Sequence, residues 1–103
     1  MKCRMQIWIT GIVQGVGFRP FIYNLARKYE LKGYVLNNTS GVNIEVEGES
    51  SVIDEFIQKI KTEPPPQAVI FEMHSQNIEP SGYEDFTIRK SDDQEEKFVP
   101  ISP

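Results

Sequence analysis

The sequence holds very few of the side chains that usually carry metal binding or nucleophilic catalysis. Among its 103 residues there is one cysteine, Cys3, and one histidine, His74. A single cysteine excludes an internal disulfide and a thiolate zinc site within this chain, and a nucleophilic cysteine would need a nearby base. His74 alternates with apolar neighbours, which is typical of a strand. We therefore expect no bound metal and no catalytic role for either residue.

The chain also lacks a basic excess and a long apolar segment. Residues 1–90 carry ten Lys and Arg against eleven Asp and Glu, and residues 91–103 carry one against four. Nucleic-acid binding needs a basic face, so this balance argues against a nucleic-acid partner. No apolar run approaches the roughly twenty residues of a membrane span, and no signal-peptide core is present, so we expect no membrane partner and a cytoplasmic location.

Apolar periodicity predicts a strand, helix, strand, strand, helix, strand order. This order is typical of the α+β split βαβ, or ferredoxin-like, fold (βαββαβ), an antiparallel sheet with two helices on one face. The predicted elements are a strand over 5–13, a helix from about 20 to about 31–33, a hairpin over 34–47 with its turn at 38–41, a helix starting at about 50–51, a strand over 68–78 and a short strand over 86–88.

Local signals predict where these elements end. Gly33 is expected at the C′ position of the first helix, and Gly48 is expected to end the hairpin. Ser50 or Ser51 is expected to cap the second helix. We expect Glu45 and Glu47, which alternate on one strand, to lie on a solvated face.

The chain divides into a domain over residues 1–90 and an acidic linker that begins at residue 91. Residues 98–101 are apolar again, so we expect residues 91–103 to lead into a following segment. A single domain of about 90 residues is large enough for one modest core.

A glycine-rich stretch, Gly11-Ile12-Val13-Gln14-Gly15-Val16-Gly17-Phe18-Arg19, connects the first strand to the first helix. Glycine lets successive backbone N–H groups point into one concavity, and the helix dipole adds positive potential there. Arg19 ends the stretch with a planar guanidinium that suits phosphate. The stretch therefore predicts a phosphate site. It is not a nucleotide loop of the Walker A kind, because no Gly-Lys-Ser/Thr follows.

Asn37 lies near the end of the second predicted strand. We expect that strand to lie beside the first in the sheet, so that Asn37 approaches the glycine stretch. Its carboxamide offers both a donor and an acceptor and could hold a water against a bound phosphorus. The alternative is that Asn37 is an ordinary turn residue before Gly41, and spacing alone favours this alternative.

The glycine stretch, followed by Gly33-Tyr34-Val35-x-Asn37-x-x-x-Gly41-Val42, resembles the acylphosphatase family of ferredoxin-like enzymes, which hydrolyse carboxyl-phosphate bonds. The resemblance implies that Arg19 is catalytic and that Asn37 orients the attacking water. It also implies that inorganic phosphate or sulfate inhibits this hydrolysis. The backbone N–H groups implied to bind the substrate phosphate are those of Gln14, Gly15, Val16, Gly17, Phe18 and Arg19.

A narrower resemblance rests on Gly17-Phe18-Arg19-Pro20-Phe21-Ile22-Tyr23-x-Leu25-Ala26, which is similar to the amino-terminal domain of the HypF family of hydrogenase-maturation carbamoyltransferases. It implies that carbamoyl phosphate is the substrate. It also implies that ATP and zinc are bound only by the remainder of such a parent. The implied partner is a hydrogenase-maturation protein whose cysteine accepts the carbamoyl group.

Three alternatives remain at this point. The chain could be a stand-alone acylphosphatase, or an anion-sensing module without turnover. The third alternative is an RNA-binding sheet, because Lys32-Gly33-Tyr34 begins like the basic-Gly-aromatic motif of RRM domains. Residues 35–37 do not continue that motif. The pairing of Arg19 with Asn37 favours an enzyme over a sensor.

Overall fold

The structure, a computed structural model, describes residues 2–38 and 41–89. The predicted element order is confirmed, including the short strand at the end. The elements are β1 (Lys2–Ile12), α1 (Phe18–Lys28), β2 (Lys32–Asn38), β3 (Gly41–Glu49), α2 (Ser50–Thr62), β4 (Val69–Ile78) and β5 (Phe86–Arg89).

The five strands form one mixed sheet in the order β4-β1-β3-β2-β5. The pairs β1–β3, β1–β4 and β2–β3 are antiparallel, as predicted. The prediction is wrong for β5, which runs parallel to β2. The chain crosses one face of the sheet after β4, and β5 begins opposite Gly33, at the end of the sheet where β2 also begins. The predicted adjacency of the first two strands is also wrong, because the β2–β3 hairpin places β3 between them.

Both helices pack on one face of the sheet, as predicted. Ile7 and Ile9 of β1 lie opposite Ile44 and Val42 of β3, and all four side chains are buried in one cluster with the helices. Burying each such side chain contributes about 1.5–3 kcal/mol. The buried helix residues recur every three or four positions, and they are Phe18, Ile22 and Ala26 on α1 and Ile53, Phe56 and Ile60 on α2.

The first helix ends earlier than predicted, and without glycine. Glu30 has the left-handed φ of 58° that the C′ position requires. Its N–H donates to the carbonyl of Arg27 at 3.0 Å, and the N–H of Leu31 donates to the carbonyl of Ala26 at 2.9 Å. These two bonds form a Schellman motif, which stabilises the end of α1. Gly33 instead lies inside β2, where an added Cβ would be 1.8 Å from the carbonyl oxygen of Glu45.

The junction between β3 and α2 also differs from the prediction. Gly48 does not end β3, which continues to Glu49 opposite Lys2. Glu49 is the N-cap of α2 and makes no side-chain capping bond. Ser50 and Ser51 are not caps, because both lie within the first turn of the helix.

The other face of the sheet buries two carboxylates, contrary to the prediction of a solvated face. Glu47 is 0% exposed and Glu45 is 6% exposed. The residues 79–85, here called the crossing segment, run over this face between β4 and β5 and supply donors to both. Because alternation along a strand is the same for solvated and covered faces, only the packing of this segment separates the two cases.

The predicted linker over residues 91–103 lies outside the described residues. The described residues include no helix that is both long enough and apolar enough to cross a membrane.

Candidate active site

The glycine stretch forms a tight loop between β1 and α1. Its two ends are held by the core, because Val13 and Phe18 are each 1% exposed. Between them, Gly15 and Gly17 have left-handed φ values of 75° and 79°. Residues other than glycine adopt this conformation only with strain. The two glycines therefore let the backbone curve so that its N–H groups can face one position.

The backbone N–H groups of this loop are available to an anion. Gly17 is the N-cap of α1, with no side-chain capping bond, and the first turn holds no acidic residue. Within the described residues, no N–H group from Gln14 to Arg19 donates a hydrogen bond. Pro20 follows and has no N–H of its own. The start of α1 therefore presents free donors and the positive end of the helix dipole together.

Arg19 lies in the first turn of α1 and is partly buried. Its guanidinium makes no hydrogen bond or ion pair with any other part of the chain that the structure describes. A guanidinium without a protein carboxylate keeps its planar set of donors for a ligand. Arg19 can therefore add a charged, bidentate contact to the amide donors of the loop.

Asn37 lies on β2 opposite Val42 of β3. Its Oδ1 atom is buried and has no hydrogen-bond donor among residues 2–38 and 41–89. Leaving such an acceptor unpaired costs about 1–3 kcal/mol, so native proteins rarely keep one without a reason. An ordinary turn residue would satisfy its own carboxamide locally. The geometry therefore favours the water-orienting role of Asn37 over the turn role.

The side chain of Gln14 joins the loop to the β2–β3 turn. Its Nε2 donates to the carbonyl oxygen of Asn38 and, at 3.2 Å, to that of Gly41. Asn38 is the next residue after Asn37, so the strand end that carries Asn37 is tied directly to the phosphate loop. The sequence indicates a role only for the backbone N–H of Gln14, and no local pattern signals this side-chain contact across 24 residues.

The residues set aside in the sequence analysis lie away from the loop. Cys3 pairs with Gly48 at the far end of β1, about 30 Å along the strand from Ile12. His74 is exposed, and its Nε2 lies 3.3 Å from Glu72. Within the described residues, no group of three or more His, Cys, Asp and Glu side chains could hold a metal ion.

A groove of about 840 Å³ lies between α1 and β5. It contains Arg27 and Lys32, but Glu30 and Asp85 also line it and balance their charge. A phosphate would meet two carboxylates there, whereas the glycine loop offers donors alone. The groove is therefore the weaker candidate.

The chain is similar to two kinds of known protein. The probable carbamoyltransferase HypF of Methanocaldococcus jannaschii is 41% identical over 104 residues, which cover 97% of this chain and 14% of that protein. The acylphosphatase of Thermotoga maritima is 41% identical over 86 residues, which cover 82% of this chain and 94% of that protein. A crystal structure of full-length HypF in the phosphate- and nucleotide-bound form matches with a TM-score of 0.86 and 51% identity, over 100% of this chain and 14% of that one.

These matches differ in extent but agree on the domain. The chain spans about one seventh of the length of these two HypF proteins. The Acylphosphatase family model matches residues 5–88, which include the loop, Arg19 and Asn37. With this match over most of its length, on a two-helix, mixed-sheet fold, the chain belongs to the acylphosphatase family, whose named members are hydrolases.

Proposed function

We propose that the loop and Asn37 form the site at which this chain hydrolyses acyl phosphates. The observation that carries the proposal is the buried, unpaired Oδ1 of Asn37 on a strand end tied to a loop of free N–H donors. An anion-sensing module needs only the donors of the loop, so an unpaired acceptor beside them favours turnover over sensing.

The reaction requires positioning and charge stabilisation. The phosphate is held by the N–H groups from Gln14 to Arg19 and by the Arg19 guanidinium, which stabilise charge on its equatorial oxygens. Asn37 Oδ1 accepts a hydrogen bond from a water placed in line with the leaving group. The water oxygen bonds to phosphorus, the bond from phosphorus to the carboxyl oxygen breaks, and a proton of the water passes to a phosphate oxygen. The products are a carboxylate and inorganic phosphate.

No general acid is needed, because the leaving group is a carboxylate. Carboxylates have a pKa near 4 and leave without protonation at neutral pH. This agrees with the absence of a titratable side chain other than Arg19 among the assigned residues.

In a HypF-type parent, the substrate would be carbamoyl phosphate. Its hydrolysis yields carbamate, which a neighbouring domain could combine with ATP before transfer to the cysteine of a hydrogenase-maturation partner. A HypF relative aligns with 97% of this chain, which supports a HypF-type parent. We propose that the protein is located in the cytoplasm. The similar acylphosphatase of Thermotoga maritima supports the alternative of a stand-alone enzyme with a broader range of acyl groups.

Zinc and ATP do not fit the residues of this chain. Cys3 is its only cysteine, and the glycine stretch lacks the Lys and Ser/Thr of a nucleotide loop. We therefore assign both groups to the remainder of a HypF-type parent.

The test is phosphate release from carbamoyl phosphate and from benzoyl phosphate. We expect both to be hydrolysed, with competitive inhibition by inorganic phosphate. Arg19→Ala should lower kcat/KM by about 10²–10³-fold, as does the loss of one preorganised donor elsewhere. Arg27→Ala, an exposed arginine two turns along the same helix, is the matched control and should keep full activity.

Two outcomes would contradict the proposal. An inert chain that still binds phosphate would be a sensing module. Rapid cleavage of benzoyl phosphate without cleavage of carbamoyl phosphate would support a stand-alone acylphosphatase and reject the HypF-type substrate.

A further inference from the structure

We propose that the side-chain carboxamide of Gln14 is a positioning group that sets the distance between the phosphate loop and Asn37. The inference rests on the proposed function, and it concerns a side chain to which that function assigns no role. Gln14 is exposed, so burial does not explain its orientation. Its direction is set by two hydrogen bonds to the β2–β3 turn.

The amide nitrogen of Gln14 contacts both arms of the hairpin. Gln14 Nε2 donates to the carbonyl of Asn38 at the end of β2 and to that of Gly41 at the start of β3. The turn also contains a hydrogen bond of its own, in which the N–H of Gly41 donates to Asn38 Oδ1 at 2.9 Å. The turn is thus closed without Gln14, and the extra contact serves to attach it to the loop.

This attachment is needed because Asn37 and the loop belong to strands that are not neighbours. β3 lies between β1 and β2, so no backbone hydrogen bond of the sheet connects the loop strand to the strand of Asn37. Gln14 provides a direct connection at the end of the sheet where both groups lie. A water held by Asn37 must lie in line with a phosphorus held by the loop, and an error of about 1 Å in such a position can cost about 10²-fold in rate.

The contribution of this side chain to stability is small. Neutral hydrogen bonds at the surface add little net stability, because water satisfies the same groups in the unfolded chain. Replacing Gln14 by Met keeps the length of the side chain and removes its donors, and we expect the chain to remain folded. Gln6→Met is the matched control, because Gln6 lies on β1, the strand that leads into the loop, and its amide donates to Glu45 at 3.3 Å, away from the loop.

The experiment measures benzoyl phosphate hydrolysis and competitive inhibition by inorganic phosphate. For Gln14→Met we expect kcat to fall by about 10- to 100-fold, while the inhibition constant of phosphate stays within about threefold. In an Asn37→Ala background the same replacement should change kcat by less than about twofold, because the group that Gln14 positions is gone. An unchanged kcat, or the same fold-loss in both backgrounds, overturns the inference.

A second measurement does not depend on activity. In ¹⁵N-edited NMR spectra, Gln14→Met should shift or broaden the side-chain amide signals of Asn37, and Gln6→Met should not. If the parent chain hydrolyses nothing, the proposed function fails. The inference about position then stands or falls on these signals alone, and unchanged Asn37 signals reject it.

Discussion

Arg19 and Asn37 differ in the kind of atom that each offers at the site. Arg19 offers only donors and a positive charge, which suit the phosphate in both the ground state and the transition state. Asn37 offers the buried acceptor Oδ1, which suits a water and repels a phosphate oxygen. The two residues should therefore affect binding and turnover differently.

Asn37→Ala should lower kcat for acyl phosphates by about 10²-fold or more and leave the inhibition constant of phosphate within about threefold. The reason is that the replacement removes the proposed contact to the attacking water and keeps the loop donors. Asn43→Ala, on the neighbouring strand β3, is the control and should have the activity of the parent chain. Parallel losses of turnover and phosphate affinity in Asn37→Ala would contradict the assignment and indicate a collapsed loop.

At the level of elements, the crossing segment is held to the sheet by buried carboxylates. The N–H groups of Ser81, Gly82 and Tyr83 all donate to Glu47, the last two at 3.0 Å. Burial by itself raises the pKa of Glu47, but these three donors outweigh it and hold the pKa below its ordinary value. The hydrogen bonds thus favour the charged form.

Glu45 has a second set of partners on the same face. It accepts hydrogen bonds from Tyr83 Oη at 2.7 Å and from Arg4 Nε at 3.1 Å. Burial opposes the charge here too, and the donors again leave the pKa of Glu45 lowered. Burial, reinforced by the Glu45 charge, raises the pKa of Tyr34 to about 12. This face is therefore a hydrogen-bonded network with ionised glutamates.

The network predicts a loss of stability in acid. An unfolded glutamate has a pKa of about 4.3, and the folded values are lower, so the unfolded state binds more protons in the interval between them. The stabilisation is fully present above about pH 5 and is lost as the pH falls through the folded pKa values. Urea unfolding at pH 7 and at lower pH measures this loss as a fall in the free energy of unfolding.

Glu47→Gln identifies the source of the acid dependence. It should lower the free energy of unfolding at pH 7 by about 1–3 kcal/mol, because an amide cannot accept all three N–H donors, and it should reduce the loss in acid. Glu84→Gln, an exposed residue of the same segment, should change neither quantity. If Glu47→Gln lost as much unfolding free energy between pH 7 and acid as the parent chain, the role of this carboxylate would be contradicted.

At the level of the whole molecule, the chain offers one phosphate loop and no second anion site of comparable quality among the described residues. The groove between α1 and β5 balances its two cations with two carboxylates. A triphosphate with a base and sugar needs several further contacts. We therefore expect phosphate release without nucleotide binding or carbamoyl transfer.

Calorimetry with ATP checks this expectation. A dissociation constant no tighter than about 1 mM, equivalent to about −4 kcal/mol, is expected, because only the loop can contact the nucleotide. Inorganic phosphate in the same experiment is the positive control. A micromolar dissociation constant for ATP would indicate a nucleotide site in this chain and would contradict the assignment of ATP to the remainder of a HypF-type parent.

The sequence by itself determined the element order and the chemistry of the loop. Apolar periodicity is a local property, so the strands and helices follow from it within a few residues. Gly15, Gly17 and Arg19 predict an anion site because backbone freedom and a guanidinium are properties of the residues themselves. Local rules failed at the ends of elements, where Glu30 rather than Gly33 has the left-handed conformation.

Only the tertiary structure decided which polar groups meet. The burial of Glu47 depends on Gly82, 35 residues away, and the contact of Gln14 with Asn38 spans 24 residues. The sequence near Glu47 does not signal its burial, because exposed and covered strand faces share one alternation. The sequence near Gln14 does not signal its contact, because the partner is brought close only by the fold. The unpaired Oδ1 of Asn37 is likewise a property of its surroundings, and the packing of β2 beside β3 is what turns a common strand-end asparagine into a candidate for holding water.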